Sequence, residues 1–271
     1  MDPEPNAEPS GGSGTGARIE RILCPIDFSE VSVRASRYAQ CVAGHYRATL
    51  VVQHVIELQE RPCGFYSPSL QLFEKFRQRI IANRLHDLQE LVKPSSGIQA
   101  ECIAQEGVPA DAILSLAHER EVSLIVLKTH GRRGFDRLML GSVAERVLRY
   151  ASCPVLAVRQ SAPPSSPREA ATDGAPIRRI LCSVGFSAHS QRASEYALSA
   201  AASYDAEVTF LQVLDAAPGS AQIPQETTAA MEHLETLIRP GTRSSMKTRA
   251  AVRLGKAYRE IQPLPQRRSR T

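Results

Sequence analysis

Residues 129–142 read Thr-His-Gly-Arg-Arg-Gly-Phe-Asp-Arg-Leu-Met-Leu-Gly-Ser, and what flanks them decides the fold. Before them runs an apolar stretch, Ser123–Leu127, and after them an amphipathic segment, Val143–Ala151. Apolar run, glycine-bearing loop and amphipathic segment predict strand, loop and helix in that order. Glycine carries no Cβ, so such a loop lets backbone N–H groups approach a ligand. The start of the next helix adds free N–H groups that favour an anion. The stretch is a candidate phosphate cradle.

The same alternation extends upstream and downstream of the loop. Arg21–Ile26 reads as a short apolar strand and Ser29–Tyr46 as a helix with Val31, Ala35, Tyr38, Ala39 and Val42 on one face. Thr49–Ile56 is a buried strand, and Leu70–Val92 a long helix carrying Phe73, Phe76, Ile80, Ile81 and Leu88. A strand near Gln99–Ala104, a helix over Pro109–Glu119 and the strand Ser123–Leu127 lead into the loop. A helix from Ser142 and a strand over Pro154–Val158 follow it. Strands alternating with helices imply an α/β fold, an open parallel five-stranded sheet with helices on both faces. In such sheets ligands bind outside the carboxyl ends of the strands.

The unit is then repeated in part. Arg21-Ile22-Leu23-Cys24 recurs as Arg179-Ile180-Leu181-Cys182, Phe28-Ser29 as Phe186-Ser187, and Tyr38-Ala39 as Tyr196-Ala197, all 158 residues on. Gly107 and Ile113 recur as Gly255 and Ile261, now 148 residues on. A long ungapped match of this kind marks duplication. The second copy has no counterpart of the fourth strand, the glycine loop, the last helix or the fifth strand; two prolines, Pro263 and Pro265, argue against a helix beyond Ile261. The organisation expected is a disordered tail over residues 1–17, a first domain over 18–159, a Pro-bearing linker over 160–176 and a truncated second domain over 177–271.

Composition narrows the function classes. The net charge of +5 is mild, and no basic stripe is interleaved with aromatics, which argues against a nucleic-acid partner. Six cysteines form no Cys-x-x-Cys pair and no spacing with histidine suited to a metal; Cys24 and Cys102 fall in apolar runs, where cysteine acts as a small hydrophobe. No apolar run approaches bilayer length, and residues 1–16 lack the apolar core of a signal peptide, so a cytoplasmic protein without a membrane partner is expected.

With strand, acidic residue and loop located, the chain resembles the universal stress protein family in its tandem-domain form. The family loop of Gly-x-x-Gly, nine residues, Gly-Ser/Thr aligns with Lys128-Thr129-His130-Gly131, nine residues and Gly141-Ser142. Val143–Leu148 and Cys153–Val158 are similar to the family's closing helix and strand. The resemblance implies a stress-response regulator that binds ATP or a related adenine nucleotide, with or without Mg2+, in the first domain. It places Asp27 on the base and ribose side, Val55 against adenine through its backbone, and Thr129, His130 and Gly131 over sugar and phosphates. Gly141, Ser142 and Val143 would form the phosphate-binding helix start, with Pro25, Leu127 and Lys128 completing the site. It also implies a homodimer, or pairing of the two domains within one chain.

Several of these residues carry a second reading. Asp27 or Ser29 is suited to cap the helix that follows, through a backbone N–H and the helix dipole. Ser142 and Glu145 match an S-x-x-E capping box. His130 is a lone histidine with no partner suited to acid–base work. Lys128 departs from the family pattern, which has glycine there: its side chain either crowds the ligand or offers an ammonium to the phosphates. Lys128, Arg132, Arg133 and Arg137 against Asp136 leave the loop at +3, which attracts an anion. In the second copy Gly185 stands where Asp27 does in the first.

Three functions therefore compete. One is a nucleotide-dependent regulator or scaffold, at most a slow ATPase, since no activated water or arginine finger is evident. Another is a nucleotide-independent dimerisation module whose site Lys128 has closed. The third, nucleotidyl transfer, lacks a His-x-Gly-His signature: Cys24-Pro25-Ile26-Asp27 occupies that region.

Overall fold

β1 (Arg21–Pro25) is the strand around which the first domain is laid out. It pairs in parallel with β2 (Thr49–Ile56) from Arg21↔Thr49 to Pro25↔Gln53, and on its other edge with β4 (Leu124–Thr129) through Ile22↔Leu124 and Leu23↔Ile125. β3 (Ala100–Glu106) adds beside β2 and β5 (Val155–Arg159) beside β4, so the order is β3-β2-β1-β4-β5. This computed structural model describes residues 18–57, 67–92, 97–129, 141–159, 177–215, 223–238 and 246–261. The tail 1–17, the linker 160–176, residues 262–271 and loop residues 130–140, with His130 and Gly131, lie outside the described residues.

Alternation along β1 builds two cores. Ile22, Cys24 and Ile26 join Leu50, Val52 and Val126 beneath α1 (Glu30–Tyr46) and α2 (Ser67–Leu91). Leu23, Val51 and Ile125 point the other way, onto α3 (Pro109–Glu119) and α4 (Ser142–Tyr150). Burial pushes the Cys24 thiol up to about 12, which leaves it a packing group.

Two helix faces differ from expectation. In α1 the buried residues include Ser32 and Ser36 alongside Ala35, Ala39 and Val42, while Val31 is half-buried. The serine hydroxyls donate to the Ser29 and Val33 carbonyls at 2.9 Å each, so these small polar side chains enter the core with their donors satisfied. In α2 Leu88 is fully buried but Phe76 is 59 % exposed, on the outer side of the helix.

The second unit holds β6 (Arg179–Ser183), α5 (Ala188–Tyr204), β7 (Glu207–Leu214), α6 (Ile223–Ile238), β8 (Thr248–Leu254) and the single turn α7 (Ala257–Glu260). Its sheet runs β6-β7-β8 among the described residues. The register Arg179↔Glu207 to Ser183↔Leu211 repeats that of β1 and β2 at the same offset of 158. Cys182, Val184, Val208 and Phe210 pack with Ala201 of α5 and Leu234 of α6. On the opposite face Leu181, the counterpart of Leu23, is 47 % exposed where Leu23 is 0 %.

That pair yields a direct comparison. Leu23→Ala should cost the first sheet about 2–5 kcal/mol, the range for a fully buried leucine. Leu181→Ala should cost the second about 1 kcal/mol or less. Amide exchange of each sheet over a urea series reads both; equal losses would mean that Leu181 is covered.

Candidate nucleotide site

The sheet itself creates the crevice. The chain leaving β1 turns to α1 on one face, and the chain leaving β4 leads to α4 on the other, so the two carboxyl ends part between them. β2 also outruns β1: pairing ends at Pro25↔Gln53, and His54–Ile56 extend past it. A cavity of about 510 Å³ opens there, within the range of ligand pockets. Its wall combines Pro25–Asp27, Gln53–Glu57, Leu127–Lys128 and Gly141–Ala144 with Ile80, Arg84, Pro109 and Ile113.

The turn after β1 is tightly built. Phe28 adopts a φ of 60°, a strained conformation for a bulky side chain. That bend lets Asp27 Oδ1 accept from the Ser29 N–H at 3.1 Å and from its hydroxyl at 2.7 Å. Ser29, not Asp27, is the N-cap of α1, its Oγ accepting from the Ser32 N–H at 3.3 Å. The Phe28 ring lies 4.8 Å from the His54 ring, centroid to centroid, and the Arg84 guanidinium lies 5.3 Å from the Phe28 centroid. His54 Nδ1 donates to the Ile26 carbonyl at 2.7 Å, which ties the ends of β1 and β2 together.

Lys128 crosses the crevice. From β4 its ammonium pairs with Asp27 Oδ2 and donates to Ser29 Oγ at 3.0 Å. Both oxygens of Asp27 therefore have internal partners. Partial burial opposes ionisation of Asp27, but the Lys128 ammonium and hydrogen bonds from Ser29 and Ser32 outweigh it and hold the carboxyl well below the usual carboxylate range.

α4 begins at the crevice. Its N-cap is Gly141, which has no side chain to cap with, and Ser142 is the first helical residue. The capping box expected at Ser142 and Glu145 is corrected accordingly: Glu145 instead pairs with Arg149 at 3.1 Å, and among the described residues the first turn has no side-chain cap. Gly141, Ser142 and Val143 all line the cavity.

Of the other expected site residues, Pro25, Asp27, Val55, Leu127 and Lys128 are brought together in the wall. Thr129 is not: it is 4 % exposed, and its hydroxyl donates to the Val158 carbonyl at 3.4 Å. Ile80 and Arg84, one turn apart on α2, and Pro109 and Ile113, one turn apart on α3, enter the wall without having been marked as site residues in the sequence. Gln53 also went unmarked, although a polar residue inside Leu50-Val51-Val52-Gln53-His54-Val55-Ile56 was a signal. Among the described residues no three His, Cys, Asp or Glu side chains converge as a metal cage.

A carboxylate with a depressed folded pKa adds stability that is complete above its unfolded value, about 4, and is lost as pH falls through the folded value. Lys128→Met should therefore lower stability at pH 7 by up to about 1 kcal/mol, the scale of a half-exposed ion pair. The difference from wild type should narrow below about pH 4. Urea unfolding at pH 7 and pH 3 checks both; a gap that stays constant with pH would remove Asp27 as its source.

The chain is matched by the model of the Universal stress protein family over residues 18–159 and 176–257. Universal stress protein MJ0531 of Methanocaldococcus jannaschii is 32 % identical over 148 residues, covering 52 % of this chain and 82 % of the relative. Universal stress protein YxiE of Bacillus subtilis is 32 % identical over 147 residues, covering 52 % and 99 %. The crystal structure of a universal stress protein from Archaeoglobus fulgidus superposes with a TM-score of 0.60 at 19 % identity, covering 90 % of this chain and 82 % of that one. That last likeness is one of fold.

Proposed function

The chain belongs to the universal stress protein family, and on that footing we propose that its first domain binds one adenine nucleotide, ATP, and acts as a nucleotide-dependent regulator in the cytoplasm. The observation that carries the proposal is the cavity at the β1/β4 crevice, with a helix start whose N-cap is a glycine in one wall and apolar side chains in another. The phosphates take the N–H groups of Ser142 and Val143, where the helix dipole also favours negative charge. The base lies among Val55, Pro109, Ile113 and Leu127. Asp27 supplies the acceptor for the ribose hydroxyls once Lys128 turns from it towards the phosphates. The described residues thus fit ATP in size and polarity, and among them Lys128 has to move. Mg2+, when present, arrives on the phosphates. Assembly as a homodimer, or pairing of its two domains, belongs to the same proposal.

The Lys128–Asp27 pair supports a second reading, in which the site is closed and the chain serves as a nucleotide-independent interaction module. Calorimetric titration of the full chain separates the two. On the first reading wild type binds ATP saturably below millimolar concentration, and Lys128→Gly strengthens binding about three- to tenfold by freeing Asp27 from an ion pair of about 1 kcal/mol. Binding that appears only in Lys128→Gly supports the closed module. No binding by either protein at millimolar ATP sinks nucleotide binding altogether.

A further inference from the structure

Gln53, in the cavity wall, has a buried side-chain oxygen with no hydrogen-bond partner among the described residues. It is 0 % exposed, in mid-strand on β2, with Pro25 of β1 paired beside it. Its amide Nε2 donates to the Ala112 carbonyl of α3 at 3.1 Å, whereas Oε1 has no partner among the described residues. The orientation of the amide is dictated: a carbonyl can only accept, so the NH2 must face Ala112 and the oxygen must face away from it. An unsatisfied buried acceptor costs on the order of a hydrogen bond. The second unit's Gln212 Oε1 is likewise without a partner, but Gln53 lines the cavity described above.

The surroundings specify the group that would complete it. The same wall carries the apolar Val55, Pro109, Ile113 and Leu127, which suit a flat, weakly polar ring. β2 and β4 stand two strand positions apart, about 10 Å, which separates this end from the α4 start. A ligand spanning both ends carries an N–H donor on the edge of a ring and an anionic group at its other end. We infer that Gln53 Oε1 is the acceptor that reads an amino group on the ring of the bound nucleotide, making Gln53 a specificity-determining residue of this site. The inference rests on the nucleotide reading of the cavity. A pocket that offers one buried acceptor penalises an analogue lacking the donor, because the acceptor is then left bare.

The test compares two probes that differ only in that amino group: ATP and purine riboside 5′-triphosphate, which carries hydrogen in its place. Both are titrated into the full-length wild type, Lys128→Gly and Gln53→Leu. Wild type, or Lys128→Gly if only that protein binds, should prefer ATP about tenfold. Gln53→Leu should bind the two alike, because the acceptor is gone. Its unliganded thermal midpoint should equal or exceed that of wild type, since an orphaned acceptor has been replaced by an apolar side chain. Should the leucine variant fail to fold, Gln53→Met, close in volume, takes its place with the same expectation. Equal affinity of the Gln53 protein for both probes overturns the inference, a buried water then serving Oε1, and leaves nucleotide binding intact. Discrimination that survives in the Gln53 variants also overturns it. Binding of neither probe to wild type or Lys128→Gly overturns inference and nucleotide reading together.

Discussion

A parallel sheet buried in the middle of a domain needs apolar cover on both faces, and the first domain depends on meeting that requirement. β1 states it most simply. Ile22 and Cys24 face one way, Leu23 the other, and all three are 0 % exposed. The covering helices arrive in pairs, α1 and α2 on one side, α3 and α4 on the other. The loops that lead from strand into helix gather at the carboxyl ends of the strands, and the crevice follows from that geometry. The second unit meets the requirement on one face, under α5 and α6; on the other, the described residues add only the single turn α7.

Because the crevice is where two strands send their chains to opposite faces, whatever spans it couples both halves of the domain. Lys128 does so. It reaches from β4 to Asp27 and Ser29, and Ser29 caps α1 in the same cluster. Helix start, strained Phe28 turn and ion pair therefore share their hydrogen bonds, and a ligand that draws on Asp27 or Lys128 also draws on the start of α1. Arg84 and His54, both against the Phe28 ring, extend the cluster to α2 and β2.

Much of this was legible along the chain, for identifiable reasons. Alternating apolar runs and helical periodicity depend on near neighbours, so β1, β2, β4 and the three-turn α3 stand close to where the pattern puts them. β3 runs two residues further than its pattern, to Glu106, because Gln105 and Glu106 pair with Val55 and Ile56, a partnership no local window contains. Phe76 followed the apolar count of α2 yet faces outward, since which stripe of a long helix is buried depends on where it meets the sheet. In the site, Asp27, Lys128 and Gly141 stand out by type and spacing. Arg84 and Ile113 do not, because only the folded sheet places α2 and α3 over the end of β2.

The sequence by itself determined the alternating strand and helix pattern, the duplication at an offset of 158, and the residue types at the crevice, since all of these reside in order and spacing. The tertiary structure alone decided what those residues do to each other. Leu23 and Leu181 are the same residue in the same register, yet one is sealed and the other half open, because burial belongs to the neighbours and not to the residue. Asp27 and Lys128 lie 101 positions apart and meet only where β1 and β4 run side by side, so that the carboxylate marked for a ligand is already held by an ammonium. Gln53 drew no notice along the chain; α3, packed across it, engages the amide nitrogen and leaves the oxygen without a partner among the described residues.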